Sequence, residues 1–382
     1  MALCAIGCRF GSRPCPWSPE EIRDGGEIVQ WIVDQPWSNG RVGATGVSYD
    51  GTAAELLVLA GHPALQAVIP RFSLFDAYTD VAFPGGIHLA WFTQAWAAYN
   101  QALDAGQHTR AGPMALRCQL RGLRSLEHGA LLRRLLAVAD SQPVEDAATA
   151  LLHVVSRGVA PAESDALLRH ARHAHRDNFD VHAAAVAMRH RDDTGFTPSY
   201  PDESIDLFSP HRYADQLRDS GVAFYGYSGW LDAAYQHGAI KRQHNVGGRL
   251  IIGPWDHGGR QHISPACDER LSSFDHDAEM IAFFDATLRN GDAPAPNVRY
   301  YTLGEERWKE ASVWPPPSTD LRLYLDGDRR LRDAPSASTG EHRYRVDPEV
   351  GTGPRSRWDC LLGLLPPVGY GDRADSRLLV FR

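Results

Sequence analysis

Lysine is nearly missing from this sequence: of 39 basic residues, only Lys241 and Lys309 are lysines. That skew reads as genomic base composition rather than function. Forty-seven acidic residues bring the formal net charge to −8. The chain therefore lacks the basic surplus that nucleic acid or an anionic membrane would need. No apolar run approaches the roughly 18–20 residues of a membrane span. The six cysteines (Cys4, Cys8, Cys15, Cys118, Cys267 and Cys360) form no C-x-x-C pair and are too sparse for a disulfide framework. They are expected to be reduced thiols in a cytoplasmic protein. Ile6-Gly7-Cys8 has the shape of a lipoprotein cleavage box, but no basic start or signal peptide goes with it. There is no internal repeat and no low-complexity tract. Hydrophobic residues at 43% and charged residues at 23% are near the globular average, which excludes disordered and fibrous classes. A length of 382 residues predicts two or three domains.

What is present has α/β grammar. Ser18-Pro19-Glu20-Glu21 opens a helix with a capping box and a first-turn proline. Ile22, Val29, Ile32 and Val33 lie on one face of it. Arg41 to Thr45 reads as a strand, Gly46 to Gly51 as a tight turn, and Thr52 to Ala60 as a fully buried helix. Ala67-Val68-Ile69 is a second buried strand. From about 86 to 200 the chain turns rich in Ala, Leu, Arg and His, with helical spacing at Leu131, Leu132, Leu135 and Leu136, as in a helical insertion. Strands return at Val222–Tyr225 and Arg249–Ile252, followed by a helix near Glu279–Leu288. Val298–Tyr301, Leu321–Leu325 and Leu378–Phe381 then predict a β segment from about 297 onward.

Three sites carry chemistry. Gly46-Val47-Ser48-Tyr49-Asp50-Gly51 sits between a short strand and a buried helix, the setting in which a strained turn lifts a serine hydroxyl out of a sheet. The generic motif has glycine where this chain has Asp50, so the turn by itself also fits an ordinary Gly-rich loop. Asp232, in Gly229-Trp230-Leu231-Asp232, and His257, in Gly253-Pro254-Trp255-Asp256-His257-Gly258, each follow a strand at its C-terminal end. Open α/β sheets bind ligands at that edge. The order Ser48, Asp232, His257 is that of α/β-hydrolases. Asp256 and Asp275 compete with Asp232 for the acid role, although Asp256 adjoins the histidine and is badly placed to orient it.

Gln35-Pro36-Trp37-Ser38-Asn39-Gly40-Arg41-Val42-Gly43 leading into Gly-x-Ser-Tyr-x-Gly resembles the CocE/NonD family, the cocaine-esterase and X-prolyl dipeptidyl-peptidase-like serine hydrolases. The Asp232 and His257 motifs, Phe283-Phe284-Asp285 and Gly304-Glu305-Glu306-Arg307-Trp308 are similar to the same family. The resemblance implies an α/β fold class: an α/β-hydrolase core at 1–85 and 201–296, a helical cap at 86–200, and a partial jelly-roll β-sandwich at 297–382. It implies a Ser48–His257–Asp232 triad cleaving a small-molecule ester, amide or peptide through an acyl-enzyme. The Tyr49 N–H would be one oxyanion donor, and neither metal nor cofactor is required. In the family, strands precede the helix that starts here near Ser18, and one supplies a tyrosine as second oxyanion donor. Their absence predicts a truncated hydrolase, inactive or partner-dependent in the extreme case. An unpaired sheet edge would favour association, including homo-oligomers.

Three further signals are open. His170, His173, His175, His182 and His190 have no Cys or carboxylate at ligand spacing and predict a solvated helix face rather than a metal site. Trp91, Phe92, Trp96 and Tyr99 share a helical face that either packs in the core or walls an acyl pocket. Arg189 to Asp193 reads as a charged surface loop, with the substrate cleft as its other reading.

Overall fold

In a computed structural model, residues 11–105, 161–267, 271–336, 340–347, 350 and 377–382 are described. The helical spacing at Leu131–Leu136 lies outside them. The capping box forms as expected: the Ser18 hydroxyl accepts the Glu21 N–H at 3.3 Å, and α1 runs Pro19–Val33. Next come β1 (Val42–Val47), α2 (Tyr49–Leu56), a 3-10 turn over Leu57–Ala60, and β2 (Leu65–Arg71). The described part of the insertion holds α3 (Ala90–Asp104), α4 (Pro161–Ala174) and α5 (Val181–Ala187). The core resumes with α6 (Ala214–Asp219), β3 (Ala223–Gly229), α7 (Tyr235–Asn245), β4 (Arg249–Gly253) and α8 (His276–Phe284). It closes with β5 (Val298–Thr302) and β6 (Arg307–Ala311). Among the described residues no helix is long and apolar enough to cross a membrane.

Six strands form one sheet in the order β1-β2-β3-β4-β5-β6. The first five are parallel, and β6 returns antiparallel to β5. Val47, Arg71, Tyr227 and Ile251 are in register across β1 to β4, so the loops that follow these strands emerge along one edge. Apolar layers cover both faces, as a parallel sheet requires. Val29, Val58, Val68 and Phe224 share one cluster, and Ile69, Tyr225, Ile251, Trp255 and Phe283 share another. Among the described strands β1 pairs only with β2.

The boundary expected at 297 is corrected. Val298, fully buried, pairs with Leu250, so β5 and β6 extend the hydrolase sheet instead of opening a new domain. An alternating strand pair looks the same in sequence whether it edges a parallel sheet or begins a sandwich. Beyond 311 the described residues contain only the two-stranded β7 (Tyr324–Leu325) and β8 (Leu331–Arg332). Leu378–Phe381 is not a strand, although Arg382 exchanges backbone hydrogen bonds with Arg329 and Leu331 (3.0 and 2.8 Å).

A buried ion pair ties the core together behind the sheet edge. Arg242 of α7 meets Glu55 of α2 through two parallel bonds of 2.7 Å and also donates to the Leu74 carbonyl at 2.8 Å. Neither side chain exceeds 1% exposure, so removing one partner strands a charge in the interior. Arg242→Met is expected to cost about 3–5 kcal/mol in urea unfolding. Adding Glu55→Gln to it should restore part of that loss. Additive losses in the double variant would show that the two groups do not interact.

Candidate active site

Ser48 sits on the turn from β1 to α2 at φ 62° and ψ −121°, a conformation that side-chain-bearing residues rarely adopt. Two bonds hold it there. Its N–H donates to the Arg71 carbonyl at the end of β2 (3.0 Å), and its carbonyl accepts the Thr52 N–H (3.1 Å). The flanking glycines are required by space. A Cβ on Gly46 would lie 2.4 Å from the Asp50 carbonyl carbon, and one on Gly51 would lie 2.7 Å from the Arg71 oxygen. Gly51 therefore does the work of the motif's second glycine, one residue later than the generic form. Tyr49 starts α2 with its ring stacked 4.4 Å from Trp17, whose indole donates to the Tyr49 carbonyl (3.0 Å).

Asp232 and His257 are brought together. The His257 Nδ1–H donates to Asp232 Oδ1 at 2.6 Å, and the fully buried Asp232 takes the Ser228 hydroxyl on Oδ2 at 3.2 Å. With Nδ1 so engaged, the hydrogen-bond network assigns Nε2 as the proton acceptor of the neutral ring. Phe72 and Tyr235 flank the imidazole, with centroids 6.2 and 5.4 Å away. The competing carboxylates face elsewhere. Asp256 accepts the Gln261 N–H (2.9 Å), and Asp275 caps α8 through the Ala278 N–H (2.9 Å). Burial pushes the Asp256 carboxyl up to about 6.

Several supporting residues were not read from sequence. His276 bridges the Tyr227 hydroxyl and the Gly259 carbonyl (2.9 Å), fixing the loop just after His257. Ser228 lies in β3 four residues before Asp232, and serine at a strand end is too common for that spacing to mark it as the carboxylate's partner. Tyr235 gave no local signal.

Ser48 and Tyr235 line one cavity of about 120 Å³ between core and insertion. Among the described residues the Ser48 hydroxyl has no hydrogen-bond partner. The cavity wall also includes Trp17, Phe92, Trp96 and Phe208, and carries no charged side chain among the described residues. Phe92 and Trp96 thus wall the cavity, stacked on one another at 6.3 Å. Arg191 is no free surface charge: its guanidinium bridges Asp76 and Asp206, each at 2.8 Å. The histidines also divide. His170, His173 and His190 are exposed as expected, whereas His175 is buried 3.6 Å from Asp104 and His182 lies 2.9 Å from the Thr93 hydroxyl.

The sequence pattern of the X-Pro dipeptidyl-peptidase (S15) family matches residues 7–259. A protein of Mycobacterium bovis carrying a serine-esterase name is 43% identical, over 98% of this chain and 58% of its own. The cocaine esterase of a Rhodococcus species is 24% identical, over 84% of this chain and 50% of its own. The chain therefore spans little more than half the length of these relatives. Among solved structures, a CocE/NonD hydrolase of Staphylococcus aureus has a TM-score of 0.50 at 18% identity, covering 86% of this chain and 44% of its own. An aminopeptidase of a Thaumarchaeota archaeon has a TM-score of 0.50 at 19% identity, covering 88% and 52%. These two likenesses speak for the fold. With the family pattern matched over more than half its length, the chain belongs to the X-Pro dipeptidyl-peptidase (S15) family.

Proposed function

We propose that this chain hydrolyses esters of apolar acyl groups through Ser48, His257 and Asp232. The carrying observation is an uncharged, aromatic-walled cavity opening onto Ser48. Ser48 Oγ attacks the acyl carbon while His257 Nε2 takes its proton, then returns it to the leaving alcohol. Water, activated by the same nitrogen, releases the acid from the acyl-enzyme. Asp232 keeps Nδ1 protonated and stabilises the ring when it is charged. The developing oxyanion faces the N-terminus of α2, where the Tyr49 N–H is one donor, a contribution worth roughly 3–4 kcal/mol in the transition state.

The family also contains X-Pro dipeptidyl peptidases, and the cavity argues against that reading here. A dipeptide brings a terminal ammonium, which costs several kcal/mol to bury without a carboxylate. Among the described residues the cavity wall offers none. The serine-esterase name of the Mycobacterium bovis relative points the same way. We expect kcat/KM for p-nitrophenyl benzoate to exceed that for Ala-Pro-p-nitroanilide by more than about a hundredfold, beyond their difference in a chemical hydrolysis control. Equal or reversed ratios would overturn the ester assignment.

A further inference from the structure

Glu306 lies on the turn between β5 and β6, at φ 54°, with its carboxylate held from three directions. Oε1 accepts the Ser264 hydroxyl and the Gly304 N–H (2.7 Å), and Oε2 accepts the Tyr301 hydroxyl at 3.1 Å. His262 Nε2 faces Oε2 at 4.0 Å. The free, partly exposed Cys267 completes the group: one imidazole nitrogen, the thiol sulfur and a carboxylate oxygen all lie within 4.8 Å of one another. Among the described residues no lysine or arginine pairs with Glu306.

A second cluster of the same size shows what a filled site looks like. Asp76, Asp206 and His211 converge equally closely, but the Arg191 guanidinium already sits among them, at 2.8, 2.8 and 3.1 Å. Its cation is built into the chain. At Glu306 an imidazole, a thiol and a carboxylate converge, and among the described residues no such cationic side chain sits between them.

Imidazole, thiolate and carboxylate are the donors that zinc-class divalent ions use, at roughly 2.0–2.3 Å from the metal. Tetrahedral geometry at those lengths sets ligand atoms about 3.5 Å apart, so closure needs movements of about 1 Å. The contacts from Ser264, Gly304 and Tyr301 orient the carboxylate as outer-shell partners do in metal sites. The geometry points to a zinc-class site made by His262, Cys267 and Glu306, with water in the fourth position. Binding releases the thiol proton to solvent and leaves a thiolate–metal bond. The ion would tie the loop that follows His257 to the β5–β6 turn. It plays no part in the proposed hydrolysis.

The test is titration of the full chain, stripped with EDTA, with Co(II), whose thiolate charge-transfer and tetrahedral visible bands report the ligands directly. We expect one Co(II) per chain, a thiolate band absent from Cys267→Ser, and at least tenfold weaker binding by Glu306→Gln. Saturating Zn(II) should raise Tm by about 5 °C in the wild type and not in Cys267→Ser. The proposal fails if folded wild type, checked by circular dichroism, gives no thiolate band. It fails equally if band and thermal shift persist in Cys267→Ser, since the ion would then be bound by other thiols.

Discussion

Ser48→Ala lowers kcat on an activated ester by at least about 10⁴-fold while the protein folds as before. Both halves of that expectation come from the elbow. The strain at φ 62° belongs to any residue with a Cβ, so alanine neither relieves nor adds to it. The bonds holding the turn use the Ser48 backbone, and its hydroxyl has no partner to lose among the described residues. Stability should therefore stay within about 0.5 kcal/mol of wild type. A fluorophosphonate probe, which requires an activated serine, should label the wild type and not Ser48→Ala. Labelling of both would move the nucleophile elsewhere. A folded wild type that resists the probe would mean that Ser48 and His257 do not couple in this chain, and the partner-dependent reading would take over.

What the sequence disclosed was local. Capping at Ser18, the glycine spacing around Ser48 and the strand-end positions of Asp232 and His257 all depend on neighbours within a few residues, and each is found where its pattern places it. What it concealed was pairing at a distance. Glu55 and Arg242 are 187 residues apart, so nothing in the neighbourhood of either one names the other as its partner. Arg191 looked like part of a solvated loop because Asp76 and Asp206 approach it only in the folded chain. His175 looked exposed for the same reason, its partner Asp104 lying on another helix of the insertion. The misplaced boundary at 297 has a related cause. Period-two alternation says that β5 is a strand with one inner face, but not which sheet receives it. Even the glycine offset at Asp50 became interpretable only when the close approach of Gly51 to the Arg71 carbonyl was on view.

Two aspartates on either side of that histidine loop should answer the same substitution in opposite ways. Asp232→Asn is expected to lower kcat roughly 10⁴-fold. Its Ser228 neighbour decides how. The Ser228 hydroxyl donates to one oxygen of Asp232, so in the variant the amide oxygen takes that place and the NH₂ group turns toward His257 Nδ1. Nδ1 must then accept, the ring proton moves to Nε2, and Nε2 can no longer receive the Ser48 proton. Asp256→Asn should leave kcat within a few-fold, because asparagine keeps the carbonyl that accepts the Gln261 N–H. Its effect is on stability. Burial lifts the Asp256 carboxyl to about 6, so between its ordinary value near 4 and that value the folded state binds more protons than the unfolded one. Wild-type stability from this group thus falls as pH rises through that window, by up to about 3 kcal/mol. Asp256→Asn has no such carboxyl to ionise and should be the more stable protein at pH 8, with the advantage gone near pH 4. Urea unfolding at the two pH values, paired with kcat for both variants, checks the assignment. Should Asp256→Asn lose activity while Asp232→Asn keeps it, the acid of the triad is Asp256.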